Sequence, residues 1–391
     1  MRSRSKYRIS REQVHQWALS CLSDSLGLPD HGWKCTACTV LSLLLRAAAR
    51  MCSICAACRD LSAAPSDEAI FTALREGLPR QLRELERRLN LALAWELPRR
   101  VTKQSRTIAI DWHLVPYYGK PLESPHELYY GKPSRGTTKF HAYATAYVVS
   151  PGQRYTIGLT SIRRNEHDTL PLLRLLAQIR EKGLKIRRLL LDRQFFTVPV
   201  TRLLQSENIP FLMPVVMRGK KPKVGRGRRA KGLRWIRRQA AGWYRHTMKN
   251  GKQEVDVGVC VAYRAHKNRK DGKRRSQKLL FASWRVRGAP TEIRELYRRR
   301  FGIESSYRQW RQARITTCTR DPQLRLLFVG VGLILRNLWV WIHDTRLSEG
   351  VGEERDLHLE QLRFRRLLNW LAEEVQTQLH DGSPPYVEYP R

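Results

Sequence analysis

The chain has 391 residues, and its 73 Lys and Arg against 35 Asp and Glu give a formal net charge of +38 at pH 7. A field of that sign and size points to a polyanionic partner, nucleic acid before membrane. The 42% hydrophobic content and 11 tryptophans supply a folded core, which excludes a disordered basic tail.

The opening "MRSRSKYRIS" is basic but lacks the apolar run of a secretory signal, so export is not expected. Residues 1–100 read as a helical domain: Ser10 and Glu12 open one helix, Ser66 before "DEAIFTALREGL" opens another, and "RQLRELERRLNLALAWEL" makes a third. Five cysteines cluster here as Cys35-x-x-Cys38 and Cys52-x-x-Cys55-x-x-Cys58. Such spacing admits zinc. The surrounding "TVLSLLLRAAARMCSICAACRDL" favours instead one long helix with small, reduced, buried thiols and no metal.

From Arg106 the pattern turns β-branched and aromatic. "RTIAIDWHLVPYYG", "KFHAYATAYVVS" and "RYTIGLTSI" predict a three-stranded meander. Helix, strand, helix, strand follow through "DTLPLLRLLAQIREKG", "KIRRLLLDRQFF", "TVPVTRLLQSEN" and "IPFLMPVVM", so residues 101–217 predict an α/β unit with a mixed sheet flanked by helices. Residues 218–289 form a basic β-rich insertion. It begins with "RGKKPKVGRGRRAKG", a solvated loop whose Lys220, Lys221, Arg228 and Arg229 are candidate DNA contacts, and continues in strands turned at Asn250-Gly251 and Asp271-Gly272. Helix returns over 290–345. There the apolar "LRLLFVGVGLILRNLWVWI" is broken by Arg336 and Asn337 and reads as a buried helix, not a membrane span. Residues 346–391 make a C-terminal helical tail.

Three acids stand out in so basic a chain. Asp111 and Asp192 end the first and fourth apolar strand runs, and two such carboxylates on neighbouring strands meet at one sheet edge. Hard divalent cations take oxygen ligands of this kind, although an acid at a strand end is also a common turn or cap. Glu304 is the third. On a regular helix it shares one face with Tyr297, Arg300, Arg308 and Arg311, a phosphate-binding face with one metal-binding acid. Surface Glu–Arg pairing is the plainer alternative. His113, two residues past Asp111, points to the same side of its strand and reads first as an ordinary polar strand residue.

"IAIDWHLVPYYG" around Asp111, "LLLDRQFF" around Asp192, and a Tyr-x2-Arg-x3-Glu-x6-Lys pattern met by Tyr297, Arg300 and Glu304, with Arg311 in the Lys place, resemble one known family. These are insertion-sequence transposases of the DDE class, with a ribonuclease-H-like core and a β-rich module inserted before the catalytic Glu. The resemblance implies metal-dependent cleavage at transposon ends and strand transfer into target DNA. It implies Asp111, Asp192 and Glu304 as catalytic ligands of Mg²⁺ or Mn²⁺, with Tyr297, Arg300, Arg308 and Arg311 on the DNA. It further implies terminal inverted repeats and target DNA as partners, a homodimer when two ends are synapsed, and a cytoplasmic, nucleoid-associated prokaryotic setting. A structure-selective nuclease on the same core and a catalytically inactive DNA-binding derivative are the competing readings.

Overall fold

Ser10 opens the first helix as its sequence predicts. In the computed structural model, which describes residues 8–150, 154–217, 231–267, 272, 274–348 and 359–380, the Gln13 amide donates to the Ser10 hydroxyl and the Ser10 amide to the Gln13 side chain. This capping box starts α1 (Arg11–Leu26). Thr36 caps α2 (Ala37–Arg50), Ser53 caps α3 (Ile54–Arg59) and Ser66 caps α4 (Asp67–Gly77); α5 (Leu82–Leu93) and α6 (Arg99–Lys103) complete the N-terminal set.

The single long helix expected through the cysteines is two helices. Met51 takes a left-handed φ of 55°, and the amides of Met51 and Cys52 fold back onto the carbonyls of Ala48 and Ala47, which ends α2; the Ser53 hydroxyl then starts α3. Cys52 therefore sits in a joint. Cys35 and Cys58 are buried, Cys38 is exposed, and Cys55 Sγ donates to Asp67 at 2.5 Å. Burial pushes the Cys58 thiol up to about 12, so it stays protonated. Among the described residues no three His, Cys, Asp or Glu are arranged to hold a metal ion.

The sheet follows in chain order: β1 (Arg106–Pro116), β2 (Tyr129–Ser134), β3 (Thr137–Val148), β4 (Thr156–Ile162), then α7 (Thr169–Glu181), β5 (Ile186–Leu191), α8 (Val198–Ser206) and β6 (Phe211–Pro214). The short α9 (Leu233–Ile236) precedes β7 (Gly242–Asn250), β8 (Gln253–Lys267) and β9 (Arg274–Trp284). Their order is β2-β3-β1-β5-β6-β9-β8-β7, with β4 also beside β3. The predicted meander is β1-β3-β4, all antiparallel, and β2 adds a short strand that the sequence reading passed over. β5 runs parallel to both β1 and β6, which makes the sheet mixed. The inserted strands extend the core sheet, because β9 pairs antiparallel with β6. Gly251 supplies the positive φ of the β7–β8 turn, and Gly272 also has positive φ; Asp271 lies outside the described residues.

α10 (Pro290–Arg298), α11 (Gly302–Trp310), α12 (Pro322–Ile342) and α13 (Phe364–Leu379) close the chain. By length and composition α12 passes for a membrane span, but 94% of its most apolar window is buried inside the protein. Gly332 lets α12 come close to the end of α11, since a Cβ there would lie 2.7 Å from the Ala313 carbonyl oxygen and 2.8 Å from the Trp310 ring. Two asparagines then cover the outer edge of β4. Asn90 of α5 bonds both the amide and carbonyl of Leu159, and Asn337 of α12 does the same for Thr156, so side-chain amides stand in for a missing strand. α13 packs on α1 and α2, where Arg46 donates to the Ala372 carbonyl at 2.9 Å. The C-terminal helix thus completes the N-terminal helical layer.

Candidate active site

β1 and β5 lie side by side, and their last paired residues are Ile110 and Leu191. Asp192 comes next and ends its strand, whereas β1 continues past Asp111 to Pro116 beside β3; the two carboxylates still lie next to each other where the β1–β5 pairing stops. The carboxyl ends of parallel strands are where open α/β sheets place their sites. Apolar runs bury the strands up to that point: Ile108, Ala109 and Ile110, and Leu189 to Leu191, have no solvent exposure.

Glu304 comes from α11, but not along one regular helix. Residues Arg299–Phe301 form a 3₁₀ turn between α10 and α11, and such a turn advances by about 120° per residue where an α-helix advances by about 100°. The face expected for Tyr297, Arg300, Glu304, Arg308 and Arg311 is rotated locally, though Arg300 still reaches Glu304 one turn on. Tyr297 and Arg300 turn inward to 7% and 5% exposure, whereas Glu304, Arg308 and Arg311 remain exposed.

The inward turn brings the Arg300 guanidinium among all three acids. Nη1 lies 3.1 Å from Asp111 Oδ2, and Nη2 lies 3.1 Å from Glu304 Oε1 and 3.8 Å from Asp192 Oδ1. The structure thus gathers the predicted triad around a cation of the protein's own, and as they stand the three carboxylates are spaced for that guanidinium and not for a metal ion. Burial pushes the Asp111 carboxyl up to about 6; Arg300 pulls it back, and the Asp192 charge adds to the rise.

Three aromatic side chains hold this edge. The Tyr297 hydroxyl donates to the Leu191 carbonyl at 3.1 Å, directly before Asp192. Tyr307, one helical turn past Glu304 and fully packed, was not singled out by the sequence; its hydroxyl lies 2.6 Å from Thr145 Oγ1 and 3.4 Å from the Asp111 carbonyl oxygen. Its signal was the i,i+3 spacing from Glu304 on the buried side of α11. His113 does reach the site's floor, its ring 4.9 Å from Tyr307 and 4.7 Å from Trp310. Burial depresses it to about 4, and Arg311, Arg314 and Arg135 press the same way, so it is neutral at pH 7.

Tyr297 and Arg300, expected on the DNA, are instead spent on the triad and the sheet, while Arg308 and Arg311 face solvent. Lys220, Lys221, Arg228 and Arg229 lie outside the described residues. Beside the triad opens a cleft of about 1130 Å³ between the inserted strands and α10, bordered by Arg193, Arg237, Arg264, Arg294 and Arg298 with one acid, Glu295. This basic cleft was not read from the sequence, because its residues come from six separated segments.

A mixed sheet flanked by helices, with Asp111 and Asp192 on adjacent parallel strands and Glu304 on a neighbouring helix, has the ribonuclease-H-like arrangement. Residues 102–338 match the family model described as "Transposase DDE domain", more than half of the chain, and the protein belongs to that family: it is a DDE transposase. No curated protein matches it. Among solved structures it is similar to the piggyBac transposase in a synaptic complex with hairpin DNA, with a TM-score of 0.52 at 11% identity over 96% of this chain and 82% of that one. At that identity the likeness bears on the fold alone.

Proposed function

We propose that this transposase cleaves DNA at the ends of its own element and joins them to target DNA, with Asp111, Asp192 and Glu304 as ligands of Mg²⁺ or Mn²⁺. The observation that carries the reading is the convergence of three carboxylates, from two strands and one helix, on a single positive charge. That all-oxygen donor set suits a hard divalent cation. Its spacing as it stands suits a guanidinium, so loading requires the acids or Arg300 to adjust.

When bound, such ions activate the attacking oxygen and stabilise the leaving oxygen of an in-line phosphoryl transfer. The chain's own residues supply position. Tyr307 and Thr145 fix the main chain at Asp111, Tyr297 fixes it at Leu191 before Asp192, and the inward 3₁₀ turn sets the depth of Glu304. Arg308, Arg311, the basic cleft and the lysine- and arginine-rich sequence of residues 218–230 would track phosphates by charge. The partners are the element's terminal repeats and target DNA, engaged by a homodimer that pairs two ends, in the cytoplasm of a prokaryote.

The experiment incubates the protein with duplexes carrying the repeats that flank its own coding sequence, with and without Mg²⁺ or Mn²⁺, and resolves cleaved and joined strands. Metal-dependent cleavage followed by joining supports the reading. Cleavage without joining makes the protein a nuclease, and binding without cleavage makes it a DNA-binding derivative.

A further inference from the structure

Arg300 is placed differently from every other arginine near the site. Its guanidinium is 5% exposed, it touches carboxylates from three elements, and its Nε is buried with no hydrogen-bond partner. Arg308 and Arg311, by contrast, lie open to solvent. Resting on the metal reading above, we infer that Arg300 is an internal counter-ion that holds the three ligands together before metal arrives and is displaced when metal enters.

Electrostatics requires some such group. Three carboxylates gathered in a partly buried site repel one another, and the repulsion grows as water is excluded. A single planar guanidinium can satisfy several carboxylates at once with directional N–H bonds, which a point charge on a lysine does less well. Yet the same cation repels a divalent ion brought to the same acids. Metal binding must therefore push Arg300 out, and the apparent affinity for metal is lowered by whatever holds Arg300 in. The unpartnered Nε makes the closed arrangement less than fully bonded, so leaving it does not break a complete network.

The consequence is that Arg300 opposes metal binding while supporting the metal-free fold. If Arg300 were an ordinary scaffold or a direct helper of the bound metal, removing its charge would leave metal affinity unchanged or weaken it. The two roles thus move the same measurement in opposite directions.

The test titrates Mn²⁺ into the full-length protein without DNA, following free Mn²⁺ by electron paramagnetic resonance, and records thermal unfolding of the metal-free protein. Arg300→Gln is expected to bind Mn²⁺ at least tenfold more tightly than the wild type and to unfold at a lower temperature without metal. Arg300→Lys keeps the charge but not the fork and should tighten binding by a smaller factor; it carries the test if the glutamine variant does not fold. Equal or weaker Mn²⁺ binding in the folded variants, with the wild type binding, overturns the inference alone. If neither wild type nor variant binds Mn²⁺ above the level of Asp111→Asn, the metal reading itself fails and this inference goes with it.

Discussion

The Tyr307 hydroxyl, 2.6 Å from Thr145 Oγ1 and 3.4 Å from the carbonyl oxygen of Asp111, ties α11 to β3 and to β1, the strand that carries Asp111. Glu304 is borne one turn earlier on the same helix, so this tie sets the separation of Glu304 and Asp111, two of the three acids around Arg300, without touching either side chain. Tyr307→Phe removes the hydroxyl and leaves the ring against His113. The expected stability loss is about 1 kcal/mol, the size of one buried hydrogen bond. Metal-dependent cleavage should fall by a much larger factor, on the order of 10²-fold, because small displacements of catalytic groups are costly. Thermal unfolding and single-turnover cleavage check the two numbers; a rate loss no larger than the stability loss would make Tyr307 a packing residue only.

The β4 edge gives a stability prediction. Asn337 is 6% exposed and bonds the amide and carbonyl of Thr156 and the carbonyl of Leu93. Asn337→Leu leaves buried backbone groups without partners, at about 1–3 kcal/mol each. Denaturant unfolding should show a loss of about 3 kcal/mol or more, with DNA contacts untouched. A nearly neutral result would mean that water satisfies the edge.

Much of the fold was legible because its signals are local. Apolar runs leading to Asp111 and Asp192 read as strands that bring both acids to one place, although β1 runs on past Asp111 to Pro116 beside β3, and Ser10 and Ser66 announce their helices by capping chemistry. Long-range and backbone-geometry features were not. Nothing in "FLMP" and "KLLFASW" says that β6 pairs with β9, so the insertion looked like a separate module. The left-handed turn at Met51 uses a residue with no glycine signal, and the 3₁₀ turn at Arg299–Phe301 has no sequence mark that distinguishes it from helix. Which side of this segment is buried mattered most: Arg300 reads as displayed to DNA, whereas the fold packs it at 5% exposure against the triad.

Buried histidines predict the acid limb of stability. His141 is 4% exposed, packs against Tyr117 with ring centroids 4.8 Å apart, and is depressed to about 3 by burial, with Arg325 adding to the shift. The unfolded chain takes up that proton near pH 6.5 and the folded one withholds it to about 3, so stability falls as pH drops through this window. Asp111, raised to about 6, acts in the opposite sense between about 6 and 4. His141 Nε2 has no partner, so His141→Phe keeps the shape and removes the titration. Stability at pH 7 should change little, and at pH 4 the variant should exceed the wild type by ~3 kcal/mol. Parallel pH profiles for the two proteins would show that His141 is solvated.

The basic cleft predicts a salt dependence. Arg193, just after β5, and Arg264, on β8, both line it. If phosphates lie there, Arg193→Gln and Arg264→Gln should each weaken binding to all DNA sequences and reduce the slope of log affinity against log salt by about one. Filter binding at several salt concentrations reads the slope, and an unchanged slope removes the cleft from the DNA path.

Glu304 gives the sharpest separation of chemistry from scaffold. Its side chain is half exposed and, among the described residues, its one ion pair is with Arg300 at 3.1 Å, so the fold does not lean on it. Glu304→Gln keeps the shape and removes the charge. The expected result is wild-type thermal unfolding within about 1 kcal/mol, unchanged DNA affinity, and cleavage lowered by at least 10²-fold, because a lost ligand removes charge stabilisation that exists only during the reaction. Arg308→Ala and Arg311→Ala should do the reverse. Both side chains face solvent, so their loss should weaken DNA binding and flatten its salt dependence while leaving the turnover of bound substrate near normal. If Glu304→Gln unfolds the protein while the two arginine variants bind as before, α11 is an ion-paired scaffold and the third carboxylate of the site must be sought elsewhere.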